Sequence, residues 1–491
     1  MPAAADPTPE PAPRRASFRQ IAQAFTQQLG ARAVGMIASF LTMSLTTRYL
    51  GPESYGHLTT AIVFVGMWLS LTELGVGAVI VRRVSSGNGD LSRLVRVNSG
   101  MSIAYCLPLT VLAALSGIIV YGGDPAVVPM LLIVCGSLAL TSIGNCFEPV
   151  FLATVRFGAV ALSDVVSRVC TLVGTLVLVN TQASVVWFAL VQLVPPAVML
   201  LVQGIAARRI VRCTPVFDVR ESWDLLRESL PQTGVLIIAV LYWRVDGFIL
   251  TLLSTPTQVG VYGMAYTLAF TLSVIATFLG TSTLSTMTNL YAESRERFAE
   301  FVTRSIETMM FVALPIVVLG GLAAPAIVLL IASDEFVADG APTLALLFAA
   351  VGVTFLNTVL SQALFAAHDQ VFLLRLNCVN LLINIGLNLV LAPRFGAVGA
   401  GASLVVVECI GLVVVSWRLH TRSPYRTPWR FVTRLALPAL VALLAFAVLR
   451  SQSVWLAAGV AGSAYLATNL VLGPISLSVV KSIVRREGVP A

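Results

Sequence analysis

The feature that most constrains this chain is a rhythm: long apolar runs alternate with short polar loops from residue 30 to residue 478. The runs fall at about 30–48, 57–80, 97–121, 127–150, 158–179, 185–206, 232–253, 260–285, 305–331, 342–366, 371–391, 398–417, 435–450 and 454–478. A helix of about 20 apolar residues spans the hydrocarbon core of a bilayer. In lipid the backbone must satisfy its own polar groups, which leaves helices or closed barrels, and runs this long read as helices. The expected fold is an all-α polytopic membrane protein with about fourteen transmembrane helices. A charged fraction of 11%, against about 25% in soluble domains, agrees with that.

Arginine sets the orientation. With the N-terminus in the cytoplasm, 25 of the 31 basic residues fall on the inner side, while only Arg48, Arg394 and Arg450 fall outside. Arg32, Arg168 and Arg244 fall within spans. Positive charge is retained on the cytoplasmic side, so both termini are expected inside the cytoplasmic membrane. The net charge of +8 is therefore topology rather than a nucleic-acid footprint. Residues 1–29 are expected to be a disordered cytoplasmic tail, and 481–491 a second tail. The lone lysine, Lys481, lies outside any glycine-rich phosphate loop, which excludes a P-loop ATPase. The seven cysteines form no C-x-x-C pair, and no metal site or cofactor is expected.

The loop 207–231 is the longest and contains "DVRESWDLLRESLP". Val219, Trp223, Leu226 and Leu230 recur at helical spacing, so it reads as an amphipathic helix at the membrane interface, joining two six-helix bundles at 30–206 and 232–417. Residues 418–480 add a cytoplasmic loop and two further helices. The bundles share a weak signature: Tyr55-Gly56 opens one span and Tyr262-Gly263 another, each followed by Leu-Gly (Leu74-Gly75, Leu279-Gly280). Parallel repeats of this kind are a transporter architecture with the site between the halves.

Three segments carry a resemblance to a known family. "RYLGPESYGHLTTAIVFVGMWLSLTELGVGAVIVRR", "WRVDGFILTLLSTPTQVGVYGMAYTL" and "LNCVNLLINIGLNLVLAPRFGAVGAGASLVVVE" occur in order and resemble the polysaccharide flippases (Wzx-type) of the multidrug/oligosaccharidyl-lipid/polysaccharide exporter superfamily. The resemblance implies fourteen spans and a cargo of polyprenyl-diphosphate-linked glycan. That cargo would be carried from the inner to the outer leaflet of the cytoplasmic membrane by alternating access.

Charges inside the spans mark the candidate site, because a central charge costs roughly 2.5–3.5 kcal/mol on insertion scales. Arg244 and Asp246 stand mid-span in "LYWRVDGFILTLLS". Two residues apart on a helix, they point away from each other and cannot pair. Given the cargo that the resemblance implies, Arg244 is the leading candidate for the diphosphate, since a guanidinium grips phosphate through paired charge-assisted bonds. An interhelical packing charge is the alternative. Arg168 is a second candidate, although Asp164 at i,i+4 is placed to neutralise it. Asp246, Asp164, Glu73 and Glu408 are candidates for coupling to H⁺ or Na⁺. Glu148 and Glu307 lie near the inner interface. Asn380 and Asn384, spaced i,i+4, are candidates for sugar contacts or for interhelical amide bonds.

Alternatives stay open. An ion-coupled multidrug antiporter of the same superfamily favours an acidic cavity, against Arg168 and Arg244. A lipid II flippase is not distinguished by any residue. A membrane polymerase or ligase needs a large catalytic outer loop, and the outer loops here are short; no enzyme activity is expected.

Overall fold

The computed structural model describes residues 18–154, 156 and 158–472, with side chains from residue 34 onward. Residues 1–17 and 481–491 of the expected tails lie outside the described residues. The elements are α1 (Phe18–Trp68), α2 (Ser70–Glu73), α3 (Val76–Ser85), α4 (Leu91–Tyr121), α5 (Val127–Asn145), α6 (Glu148–Thr154), α7 (Gly158–Asn180), α8 (Val185–Val191) and α9 (Val194–Arg208). They continue as α10 (Val219–Leu253), α11 (Pro256–Thr271), α12 (Ser273–Glu293), α13 (Arg295–Ile331), α14 (Val337–Ala366), α15 (Gln370–Arg422), α16 (Trp429–Leu449) and α17 (Val454–Leu472). Among the described residues there is no strand, and twelve stretches are long and apolar enough to cross a membrane.

Two of those stretches fold back on themselves. In α1 the reversal is at Gly51 (φ 69°), ahead of Pro52, and in α15 at Gly396 (φ 54°). Left-handed backbone is cheap only for glycine, and proline is well suited to open the helix that follows. Ser39 and Thr46 share a cavity wall with Tyr55 and Ile62, although a straight helix would set Ser39 and Ile62 about 35 Å apart. In α15 the reversal lets Asp369, just before the first arm, pair with Arg418 (2.7 Å) and Arg422 (3.2 Å) at the end of the second.

The Arg418 hydrogen bond holds the Asp369 carboxyl below its ordinary range. A depressed folded-state pKa stabilises above the unfolded value of about 3.9, and that stability is lost as the pH falls through the folded value. Asp369→Asn should therefore lower the thermal midpoint at pH 7, and the gap to wild type should close on acidification below about pH 4.

The expected tail needs one correction: α1 begins at Phe18, so residues 18–29 are helical. Phe18, Ile21, Ala22, Phe25 and Leu29 repeat at helical spacing among good helix formers, and this outweighs the polarity that suggested disorder. The expected interfacial helix is the first third of α10 and runs without interruption into the next span through Pro231. Asp218 caps it by accepting from the backbone N–H groups of Arg220 and Glu221. Leu225 and Ser229 are its buried face, and Trp223, 60% exposed, points outward with Val219 and Leu230. Its charged flank is tied to the N-terminal half: Glu228 pairs with Arg82 and Arg83, and Arg93 pairs with Asp218 and Glu221, both at 2.9 Å.

Each half has its own apolar core. One is built around Leu58, Met130 and Phe188, the other around Phe298, Phe355 and Leu404. The last pair, α16 and α17, packs on α13 through Phe446 and Tyr465.

Candidate functional site

The halves meet most closely where the second arm of α1 crosses α11. A Cβ on Gly56 would strike the carbonyl of Pro256, and one on Gly260 would strike the carbonyl of Pro52. The contact is reciprocal, each glycine lying four residues after the proline whose carbonyl the other approaches. The same end is fastened by Arg48, whose guanidinium donates to the carbonyls of Leu329 (3.1 Å) and Leu330 (2.6 Å). Gln258 reinforces it, donating to Asp339 (2.6 Å) and accepting from the Ala397 N–H (2.8 Å).

Below this seam lies a cavity of about 120 Å³ walled by α1, α10 and α11, and it contains both Arg244 and Asp246. The two behave differently. Asp246 is 2% exposed and accepts from the Tyr262 hydroxyl and from the Gly247 N–H (3.0 Å). Those donors account for a carboxylate in the membrane, since a buried charge persists only when its lone pairs are satisfied. Arg244 is half-buried, lies across from Gly66, and among the described residues has no ion pair or hydrogen bond. It acts on Asp246 and Tyr266 of the same cavity only through space, so its N–H donors are left free for an anion. Aromatic rings hold the wall: Tyr266 stacks on Phe270 (4.3 Å between centroids) and donates to the Trp243 carbonyl (2.9 Å).

An adjoining cavity of about 440 Å³ shares Tyr55, Ile62 and Thr267 with the first and brings in Asp164 and Arg168 of α7. Arg168 donates to Asp164 at 3.0 Å and to the Ser39 hydroxyl at 2.6 Å. Unlike Arg244, it is already neutralised.

Glu408 lies on the far side of Trp243, in a cavity of about 310 Å³ within the C-terminal half. It is 2% exposed, accepting from Tyr242 (2.9 Å) and from the Asn357 amide (2.7 Å). Asn380 lines this cavity, whereas Asn384 is fully buried and accepts from the Asn388 amide (2.6 Å). Glu73 stands apart, in a pocket of the N-terminal half. The candidate residues thus fall in three places: Arg244, Asp246, Arg168 and Asp164 between the halves, Glu408 and Asn380 in one half, and Glu73 in the other. Sequence reasoning missed the partners Tyr262, Tyr242 and Asn357. Tyr262 was visible as half of the Tyr-Gly signature, but its hydroxyl's target was not.

The profile of the polysaccharide biosynthesis protein family matches residues 25–290, more than half of the 491-residue chain. The chain belongs to the polysaccharide biosynthesis protein family. A second profile, that of the MatE family, matches residues 231–390. As a member of the family, the chain is similar to the lipopolysaccharide biosynthesis protein WzxC of Escherichia coli (strain K12), at 22% identity over 227 residues. That match spans 46% of each protein, so the chain aligns with about half the length of this relative. Its fold is similar over 94% of its length to a lipid II flippase MurJ structure in an inward closed conformation, covering 99% of that chain with a TM-score of 0.77 at 15% identity. It is also similar to an inward-facing multidrug resistance MATE family transporter of the MOP superfamily, with a TM-score of 0.65 at 14% identity, covering 80% and 98% of the two chains. This family member thus has the fold of membrane transporters, and the solved relatives are described as a flippase and a transporter, not as enzymes.

Proposed function

We propose that the chain is a flippase that carries a polyprenyl-diphosphate-linked oligosaccharide from the inner to the outer leaflet of the cytoplasmic membrane by alternating access. The single observation that carries this reading is Arg244: a guanidinium that makes no hydrogen bond or ion pair among the described residues, held in a cavity between the two halves of a transporter fold. The diphosphate is the anion it fits, through paired charge-assisted bonds. Arg168, its charge already balanced by Asp164, stays a secondary candidate in the adjoining cavity. Asn380 and Asn384 remain candidates for sugar contacts, and Asp246, Asp164, Glu73 and Glu408 for coupling to H⁺ or Na⁺. Both termini are assigned to the cytoplasm from the arginine asymmetry. If each stretch that folds back, at Gly51 and at Gly396, crosses twice, the count becomes the expected fourteen, and the two reversals support that reading.

The test is flipping of a labelled polyprenyl-diphosphate oligosaccharide in proteoliposomes of the full chain. Transport well above protein-free vesicles is expected. No transport of any such glycolipid, together with ion-driven efflux of organic cations, would instead make the chain an antiporter. A second reading, lipid II as cargo, is favoured by the likeness to the lipid II flippase fold. Lipid II carries the same diphosphate, so competition between the two glycolipids in one assay separates them.

A further inference from the structure

The second span is broken where a straight helix would be simplest. α2 ends at Glu73, and Leu74 and Gly75 both take left-handed backbone (φ 50° and 63°) before α3 resumes. Left-handed leucine is strained, and such strain persists only where the surroundings enforce it. The loosened carbonyls are partly taken up: Tyr105 donates to that of Thr72, and Thr233 to that of Leu74 at 2.7 Å.

A pocket of about 120 Å³ opens at this break, lined by Glu73, Glu148, Asn98 and Asn145 among others. Glu73 and Glu148 make no hydrogen bond or ion pair among the described residues, and no basic side chain lines the pocket. Both carboxylates line this one small pocket. Independently of the acids, Asn98 is only 5% exposed and has no hydrogen-bond partner among the described residues. Its amide thus opens onto the pocket, free to meet a ligand there. Asn145 gives its amide N–H to Thr72 (3.2 Å) and leaves its oxygen unbonded. Carboxylates and carboxamides are hard oxygen donors, the set that suits an alkali or alkaline-earth cation rather than a transition metal. A broken membrane helix beside such donors is also how transporter folds hold Na⁺.

We propose that Glu73, Glu148, Asn98 and Asn145 form a Na⁺ site in the N-terminal half, separate from Arg244 and from Glu408. The ion balances the charge of the two carboxylates and occupies the unbonded amide oxygens of Asn98 and Asn145. The proposal gives a chemical identity to the coupling role of Glu73, and it is read without any glycolipid, so failure of the flippase assay leaves it standing or falling separately.

The experiment is equilibrium binding of ²²Na⁺ to the purified full chain in detergent, with choline chloride as background salt. Saturable binding displaced by unlabelled NaCl is expected. Glu73→Gln and Glu148→Gln should each weaken it about tenfold or more, as loss of a charged ligand implies. Asn98→Ala should weaken it less, and Glu300→Gln, in an exposed pair with Arg304, should leave it unchanged. Glu148 is exposed and its amide is isosteric, so that variant keeps its fold even if Asn98→Ala does not, and a monodisperse elution profile checks this. Absence of saturable ²²Na⁺ binding in the wild type overturns the site. So does displacement by CaCl₂ at far lower concentration than by NaCl, and so does binding that survives both Glu73→Gln and Glu148→Gln.

Discussion

Replacing Arg244 with alanine should reduce glycolipid flipping by about two orders of magnitude or more, the loss expected for two hydrogen bonds between charged groups at roughly 1.5–3 kcal/mol each. The protein should nevertheless remain folded and inserted. Arg244 makes no hydrogen bond or ion pair among the described residues, so its removal strands no hydrogen-bonded partner, and Asp246 loses only a charge acting through space. Asp246 keeps both of its donors, the Tyr262 hydroxyl and the Gly247 N–H. The thermal midpoint should therefore hold or rise, because a half-buried charge is no longer held away from water. Arg244→Lys should be intermediate, about tenfold down, since an ammonium keeps the charge but loses the planar fork. Flipping in proteoliposomes paired with fluorescence-detected thermal melting reads both effects. A packing charge gives the opposite pattern, with stability lost and transport unchanged per folded molecule, and that result would remove Arg244 from the cargo path.

How much of this was legible beforehand depended on whether a signal was local. The spans follow from hydropathy, and the reversal at Gly51 from a Gly-Pro pair in a polar gap. That Arg244 and Asp246 need separate solutions follows from helix geometry alone. What satisfies Asp246 does not follow, because Tyr262 stands on the next element, and Glu408 likewise depends on α10 and α14. The break after Glu73 was invisible for a different reason: leucine is among the better helix formers, so nothing marks Leu74 as left-handed. The helical spacing of Val219, Trp223, Leu226 and Leu230 showed a helix at the start of α10, but not that it continues unbroken past residue 231. Pro231 sits inside a continuous helix, where Thr233 reaches back to the Ser229 carbonyl at 3.1 Å and across to that of Leu74.

The second large effect is expected at the seam above Arg244. Gly56→Ala places a methyl group against the backbone carbonyl of Pro256, and Gly260→Ala does the same against that of Pro52. No rotamer relieves a clash between a Cβ and a main-chain oxygen, so the two helices must separate. Overpacking of this kind costs about 1–3 kcal/mol, which shifts a two-state equilibrium by roughly 5- to 150-fold. The cost falls only on the state in which this end is closed. Each alanine should therefore bias the protein toward opening at the arginine-poor end, which we assign to the outside, and should slow cycling by the same factor. In a cysteine-free background, Thr59→Cys, one turn below Gly56 on the cavity wall, should react faster with an impermeant maleimide from that side. The contacts are reciprocal and share one seam, so the double variant should be little worse than either single one, a departure from additivity expected of touching residues. Wild-type transport and unchanged labelling in both single variants would mean that the crossing of α1 and α11 is a fixed joint, and that the halves rock about it rather than part at it.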